Sequence, residues 1–348
     1  MSGSPLQLAI RRLAAGEHLT EEETAAAFDV VMRGEGSPTL VSALLMALRV
    51  KGETSVEVAG GARAMRRAMV QLETPQPDSL VDTCGTGGGR VSTFNISTAA
   101  ALLAAGAGVR VAKHGNRSHT SLCGSADVLE ALGVAIEVPV SRMRATLEQA
   151  GIVFMFAPLM HPAMRHVAPV RRELGIPTLM NVLGPLANPA GVGRQVVGVA
   201  EPSRQRLLAD ALAALGTHHA LVVHGEPGLD EVSPLGPTRV LEVRNGTVCE
   251  WVIDPVAYRC ESDSVEDLAG GSAAENARTI VDILTGERED GGSAAVLLNA
   301  AAAIYVAGLA PDFRQSIELA REANSRRAGL EALERLRLAS AAATPITG

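Results

Sequence analysis

The sequence predicts an α/β protein with a largely parallel central sheet flanked by helices, joined to a small all-helical domain that the chain enters twice. Three observations carry this. Short apolar runs and helical stretches alternate from residue 74 onward. Leu80-Val81 enters a loop with four glycines among the five residues Gly85 to Gly89, and a small-residue helix and a second apolar run follow. Residues 1–73, by contrast, carry only helical spacing and capping signals.

In order, Leu6, Ile10 and Leu13 recur as a buried helical stripe would. Thr20-Glu-Glu-Glu23 and Thr54-Ser-Val-Glu57 are capping-box patterns. Ser37-Pro38 starts a helix through Leu44, Leu45 and Leu48, and Gly52 ends it. Residues 1–73 are therefore the first part of the helical domain, and 74–160 the first part of the α/β domain. There Ala99–Ala107 reads as a helix, and Val109–Ala112 as a strand that delivers Lys113-His114-Gly115-Asn116-Arg117. Ala126–Leu132 and Pro139–Ala150 read as helices, and Ile152–Phe156 as a buried strand. Residues 161–190 rejoin the helical domain. Pro162 suits a first helical turn, Pro169 bends or interrupts the helix, and Asn181–Pro189 reads as a loop poor in charge. From 191 to 348 the α/β pattern resumes. Val196–Val199 and Ala220–Val223 are strands around a helix from Ser203 to Leu215. Asn245-Gly246 signals a hairpin, and Arg278–Leu284, Ala294–Leu309, Phe313–Asn324 and Leu330–Leu338 are helices.

Composition narrows the function. A net charge of −7 with 2% aromatic residues argues against nucleic acid as the main partner. No run of about 18 apolar residues occurs, and the N-terminus lacks the apolar core of a signal peptide. The four cysteines, Cys84, Cys123, Cys249 and Cys260, have no metal-ligand spacing. They read as reduced thiols of a cytoplasmic protein, with no membrane partner.

The residues themselves suggest an anion site. Glycine admits close approach of the backbone to a ligand, and successive N–H groups in such a loop form a nest for anions. A helix starting near Asn95 adds unpaired N–H groups and the positive end of its dipole. Asn95, Ser97 and Thr98 can cap that helix or hold phosphate oxygens, and Lys113 and Arg117 bring mobile positive charge. Asp230 and Glu231 are adjacent carboxylates in a loop after a strand, a donor set that suits Mg²⁺ together with substrate phosphates. Taken singly, each has an ordinary alternative: a plain turn, a helix cap, a solvated lysine, an exposed acidic turn.

The runs TFNIST, KHGNR, GSADVLEALG, NVLGPLANPA and GLDEVS together resemble the anthranilate phosphoribosyltransferases. The resemblance spans nearly the whole chain and implies a fold of the class shared with pyrimidine nucleoside phosphorylases. It implies transfer of a phosphoribosyl group from phosphoribosyl pyrophosphate to anthranilate with release of pyrophosphate, in tryptophan biosynthesis, with Mg²⁺ and with no covalent enzyme nucleophile. It implies that Gly85, Gly88, Gly89, Thr93, Asn95, Ile96, Ser97, Thr98, Lys113, Gly115, Asn116, Arg117, Thr120, Ser121 and Ser125 bind phosphoribosyl pyrophosphate. Gly85, His114, Asn116, Arg171, Gly184 and Pro185 would bind anthranilate, Arg171 pairing with its carboxylate. Ser97, Asp230 and Glu231 would hold the metal. A homodimer through the helical domain is also implied.

Departures from the family pattern put acceptor identity in question. Gly89 stands where the family has Asp, Pro177 and Met180 stand where Arg and Phe are usual, and His119 and Cys123 replace smaller or hydroxylic residues. Alternatives are therefore a paralogue using another aromatic amine, or a non-catalytic nucleic-acid-binding relative. The acidic chain lacks the basic groove that the latter needs.

Overall fold

The computed structural model describes residues 3–89, 91–118 and 122–343. Four helices open the chain: α1 (Pro5–Ala14), α2 (Glu21–Met32), α3 (Pro38–Lys51) and α4 (Ser55–Ala68). Their starts are fixed locally. Thr20 and Thr54 accept the N–H of Glu23 and Glu57 and receive those side chains in return, and Ser37 accepts from Leu40.

Strands and helices then alternate: β1 (Val81–Gly85), α5 (Ile96–Gly106), β2 (Val111–Gly115), α6 (Ser125–Ala131), α7 (Val140–Ala150) and β3 (Ile152–Phe156). Three short helices follow, α8 (Ala157–Met160), α9 (Ala168–Leu174) and α10 (Met180–Leu186). The chain returns to the sheet with β4 (Arg194–Gly198), α11 (Gln205–Ala214), β5 (His219–Gly225), β6 (Thr238–Arg244) and β7 (Thr247–Ile253). It closes with α12 (Ala273–Thr285), α13 (Gly291–Ala307), α14 (Phe313–Ser325) and α15 (Ala328–Ala343). No helix among the described residues is long and apolar enough to cross a membrane.

The seven strands form one sheet in the order β3-β2-β1-β4-β5-β6-β7. The first five are parallel, and β6 and β7 extend the sheet as an antiparallel hairpin turned by Asn245-Gly246. Alternation along the strands assigns two faces. Val81, Val111, Val196, Leu221 and Val223 pack under α5 and α13, whose alanine-rich surfaces allow close approach. Val197, Ala220, Val222 and Leu241 pack with α11 in a core that also contains Leu44, Leu48 and Val58 from the N-terminal helices. Val170, Leu179, Val182 and Leu183 of the 161–190 segment join that same core.

One local expectation is corrected. Asn181–Pro189 is not simply a loop: Met180–Leu186 is helical with Pro185 inside it, its apolar side chains buried. The helical stretch that begins at Pro162 is interrupted at Val167, as expected near Pro169, which itself occupies the first turn of α9, where a missing N–H costs nothing.

Candidate active site

Four neighbouring parallel strands each end on glycine: Gly85, Gly115, Gly198 and Gly225. The loop after β5 requires this at Gly85, Gly198 and Gly225, because it lies across the carboxyl ends of those strands, whereas Gly115 is crowded by Ser125 and Phe154. A Cβ on Gly198 would collide with the Asp230 carbonyl, and one on Gly85 would sit 2.5 Å from Asp230 Oδ2. The Gly87 N–H donates to Asp230 Oδ2 at 2.9 Å. Gly87 and Gly88 have φ of +69° and +81°, the backbone of an anion nest. Gly89 faces the same carboxylate, its virtual Cβ 3.3 Å from Oδ1.

Burial raises the Asp230 carboxyl, an effect reduced by the Gly87 N–H. Glu231 is pushed up to about 8 by burial and by the neighbouring Asp230 charge, against the pull of Lys113 and the Ser97 N–H. Ser97 and Glu231 line one small pocket with Thr83 and Asn299.

Lys113 is not a mobile cation. It is 3% exposed, and its Nζ donates to the Thr83 carbonyl at 2.5 Å and lies 3.4 Å from Ser97 Oγ. Burial lowers its pKa, opposed chiefly by the Asp82 charge. Asp82, which sequence reading missed, is fully enclosed in β1. Its carboxylate accepts from Asn188 Nδ2 at 2.7 Å and from the His114 N–H at 3.3 Å. An acidic residue inside an apolar strand is the signal that could have found it.

Other expected donor contacts are placed less uniformly. Asn95 holds the N-cap position of α5, but its side chain does not cap the helix. It donates to the Cys123 carbonyl and accepts from Asn276. The Arg117 guanidinium turns outward to Asp127 and Glu130, so it is not free charge beside the glycine loop. Ile96 lies in the core, and its N–H is taken by the Phe94 carbonyl at 2.7 Å. Thr98 is buried with an unpartnered hydroxyl. Thr93 forms a β-bridge with Ala269. Ser125 starts α6 and packs on Gly115. Thr120 and Ser121 lie outside the described residues.

The residues expected at the acceptor lie together. Gly85, His114, Asn116, Arg171, Gly184 and Pro185 all line one cavity of about 590 Å³, with Gly115 beside them. Arg171 projects from α9, half-buried, and burial lowers its pKa. No hydrogen bond or ion pair engages its side chain among the described residues, while the neighbouring Arg172 is exposed. His161, also missed, lines this cavity beside His114, with ring centroids 4.9 Å apart. Burial depresses both imidazoles, His114 to about 3 and His161 to about 4.

The acidic pair fits a hard divalent cation. Two half-buried carboxylates, each raised by desolvation, are stabilised when a cation joins them. No cluster of three or more His, Cys, Asp or Glu ligands exists among the described residues. Mg²⁺ does not require such a cluster, because it keeps waters and substrate phosphates around one or two carboxylates.

Comparison with known proteins agrees with this arrangement. Residues 77–327 match the model of the glycosyl transferase family a/b domain, and residues 7–69 that family's helical bundle domain. The chain is 51% identical over 330 residues to an anthranilate phosphoribosyltransferase of Rubrobacter xylanophilus, covering 95% of this chain and 96% of that one. The crystal structure of the Thermus thermophilus anthranilate phosphoribosyltransferase superposes with a TM-score of 0.90 at 44% identity, covering 96% of this chain and 99% of that one. The enzyme of Saccharomyces cerevisiae in complex with PRPP and Mg superposes with a TM-score of 0.89 at 28% identity, covering 98% and 99%. The chain belongs to the anthranilate phosphoribosyltransferase family.

Proposed function

We propose that this protein transfers the 5-phosphoribosyl group of phosphoribosyl pyrophosphate to the amine of anthranilate, releasing pyrophosphate. The observation that carries the reading is the acceptor cavity with the unpartnered Arg171 at its wall. It reaches the glycine loop at Gly85 and Thr86, and the Asp230–Glu231 pair lies across the same strand ends.

In this reading Arg171 holds the carboxylate of anthranilate, and Asn116 orients the amine. The glycine-loop N–H groups and the start of α5 receive the phosphates. Lys113 holds the Thr83 carbonyl and Ser97 in place and supplies fixed positive charge beneath the leaving group. Asp230, Glu231 and Ser97 would hold Mg²⁺, which when bound supplies charge neutralisation of the departing pyrophosphate. The ribosyl carbon passes through a cationic state, so the chain needs no covalent nucleophile, and positioning carries much of the rate. Closure of the helical segments toward the sheet would exclude water. A crosslink that holds them apart is expected to abolish transfer, and retained activity would refute closure. We also read the protein as a cytoplasmic homodimer joined through its helical domain.

The test is product formation from anthranilate and phosphoribosyl pyrophosphate across a Mg²⁺ titration. Metal-dependent turnover supports the reading. Folded protein that binds phosphoribosyl pyrophosphate but leaves anthranilate unchanged would point to another aromatic amine.

A further inference from the structure

His161 and His114 are the groups of the acceptor cavity that the reaction described so far does not use as acids or bases. His161 is buried and His114 half-buried, both are neutral, and among the described residues the Nε2 atom of each, itself enclosed, lacks a hydrogen-bond partner. The backbone of Gly184 lies beside the His114 ring and that of Ala187 beside the His161 ring, and a neutral imidazole carries a single N–H. One lone pair per ring is left over. A buried acceptor without a partner is costly, and where one persists a ligand or a catalytic role is the usual reason.

The chemistry of the transfer supplies what those lone pairs lack. The amine nitrogen uses its electron pair to bond to the ribosyl carbon, and the carbon–oxygen bond to pyrophosphate breaks with its pair going to oxygen. The nitrogen then carries a positive charge and two hydrogens, whereas the product is a neutral secondary amine. One proton must leave, its bonding pair returning to nitrogen. The described lining of the cavity contains no carboxylate. Its other ionisable groups are the cations Arg165 and Arg171 and the thiol Cys84, which burial holds protonated.

We propose that the His161–His114 pair is the proton acceptor for the aromatic amine, an imidazole Nε2 taking the proton shed after the nitrogen–carbon bond forms. The proposal rests on the function above. The imidazolium then gives the proton to the departing pyrophosphate or to solvent on opening. Burial keeps both rings unprotonated at neutral pH, so a lone pair is present in every turnover, and an arylammonium is acidic enough to surrender its proton to a weak base. The Lys113 charge and the neighbouring His161 ring oppose protonation of His114, and Arg165 and Arg171 line the same cavity.

The experiment compares the full-length protein with His161→Gln, His114→Gln and the double variant. Glutamine keeps hydrogen bonding but takes no proton. The double variant is expected to lose about 100-fold in kcat, with the KM for phosphoribosyl pyrophosphate and the affinity for benzoate, which lacks the amine, unchanged. His161→Ala is expected to regain turnover with added imidazoles, more strongly for the more basic ones. Loss seen only as a raised KM for anthranilate, or a folded double variant with full kcat, overturns the proposal. Where the double variant fails to fold, absence of rescue in the alanine variant overturns it. Wild-type protein that forms no phosphoribosylanthranilate would instead refute the function on which it rests.

Discussion

At the scale of single residues, charge burial decides most of what the site can do. Lys113 and Asp82 are buried on adjacent strands, and the charge of each offsets part of the desolvation of the other. Lys113→Gln is expected to strand that carboxylate, lower stability by about 3 kcal/mol and weaken phosphoribosyl pyrophosphate binding; calorimetry and a binding titration check both. Arg171 is the opposite case, a guanidinium on a cavity wall without a side-chain partner among the described residues. Replacing it with lysine removes the paired donors of the guanidinium fork. The KM for anthranilate is then expected to rise about tenfold or more, with the KM for phosphoribosyl pyrophosphate unchanged. Some of this was legible in the sequence. The Asp230-Glu231 pair and Arg171 stood out through the resemblance to the family rather than by residue type alone. The burial of Lys113 did not, because its partner Asp82 lies on another strand and the pairing of β1 with β2 brings them together. His161 gave no local signal either. Its place beside His114 depends on β3 running parallel to β2 and the chain turning back through α8.

At the scale of elements, local signals were strongest where one side chain settles a boundary. The capping threonines Thr20 and Thr54 and the strand Ile152–Phe156 follow directly from the sequence. The helix over Asn181–Leu186 was hidden by Gly184 and Pro185, residues that usually break helices and here are held by burial among apolar neighbours. Glu57 shows how one capping residue also joins elements. It receives the Leu19 and Thr54 N–H groups and pairs with Lys51 at 2.9 Å, linking the entry to α2, the end of α3 and the first turn of α4. Burial would raise its carboxyl, but these partners together hold it below the usual range. Its contribution is therefore complete above the ordinary carboxylate pKa and fades as the pH falls through the lowered one. Glu57→Ala is expected to cost about 3–5 kcal/mol in urea unfolding and to make the remaining stability less sensitive to acid. Gly198→Ala tests the strand ends. Its Cβ has no space beside Asp230, so metal-dependent turnover is expected to collapse and the melting temperature to drop.

At the scale of the whole molecule, the sheet is a partition with a different core on each face. Acid acts on both the buried imidazoles and the buried carboxylates. His114 and His161 have folded pKa values of about 3 and about 4, below the ordinary value near 6.5. The unfolded chain therefore binds their protons first. The stability they contribute is intact above about pH 6.5 and drains away as the pH falls toward 4 and then 3. Melting temperature measured across that window should decline, and the decline should be shallower in the His161→Gln variant; equal slopes would count against burial as the cause. The other consequence concerns modularity. The family models divide the chain into a bundle and an a/b unit, yet Leu44, Leu48 and Val58 share one core with Val197, Val222 and Leu241 of the sheet. A gene fragment encoding the second unit alone would expose that face of the sheet to water. Such a fragment should be insoluble on expression, and chimaeras that exchange the first 73 residues between relatives should succeed only where the buried side chains on both sides of this seam are exchanged together.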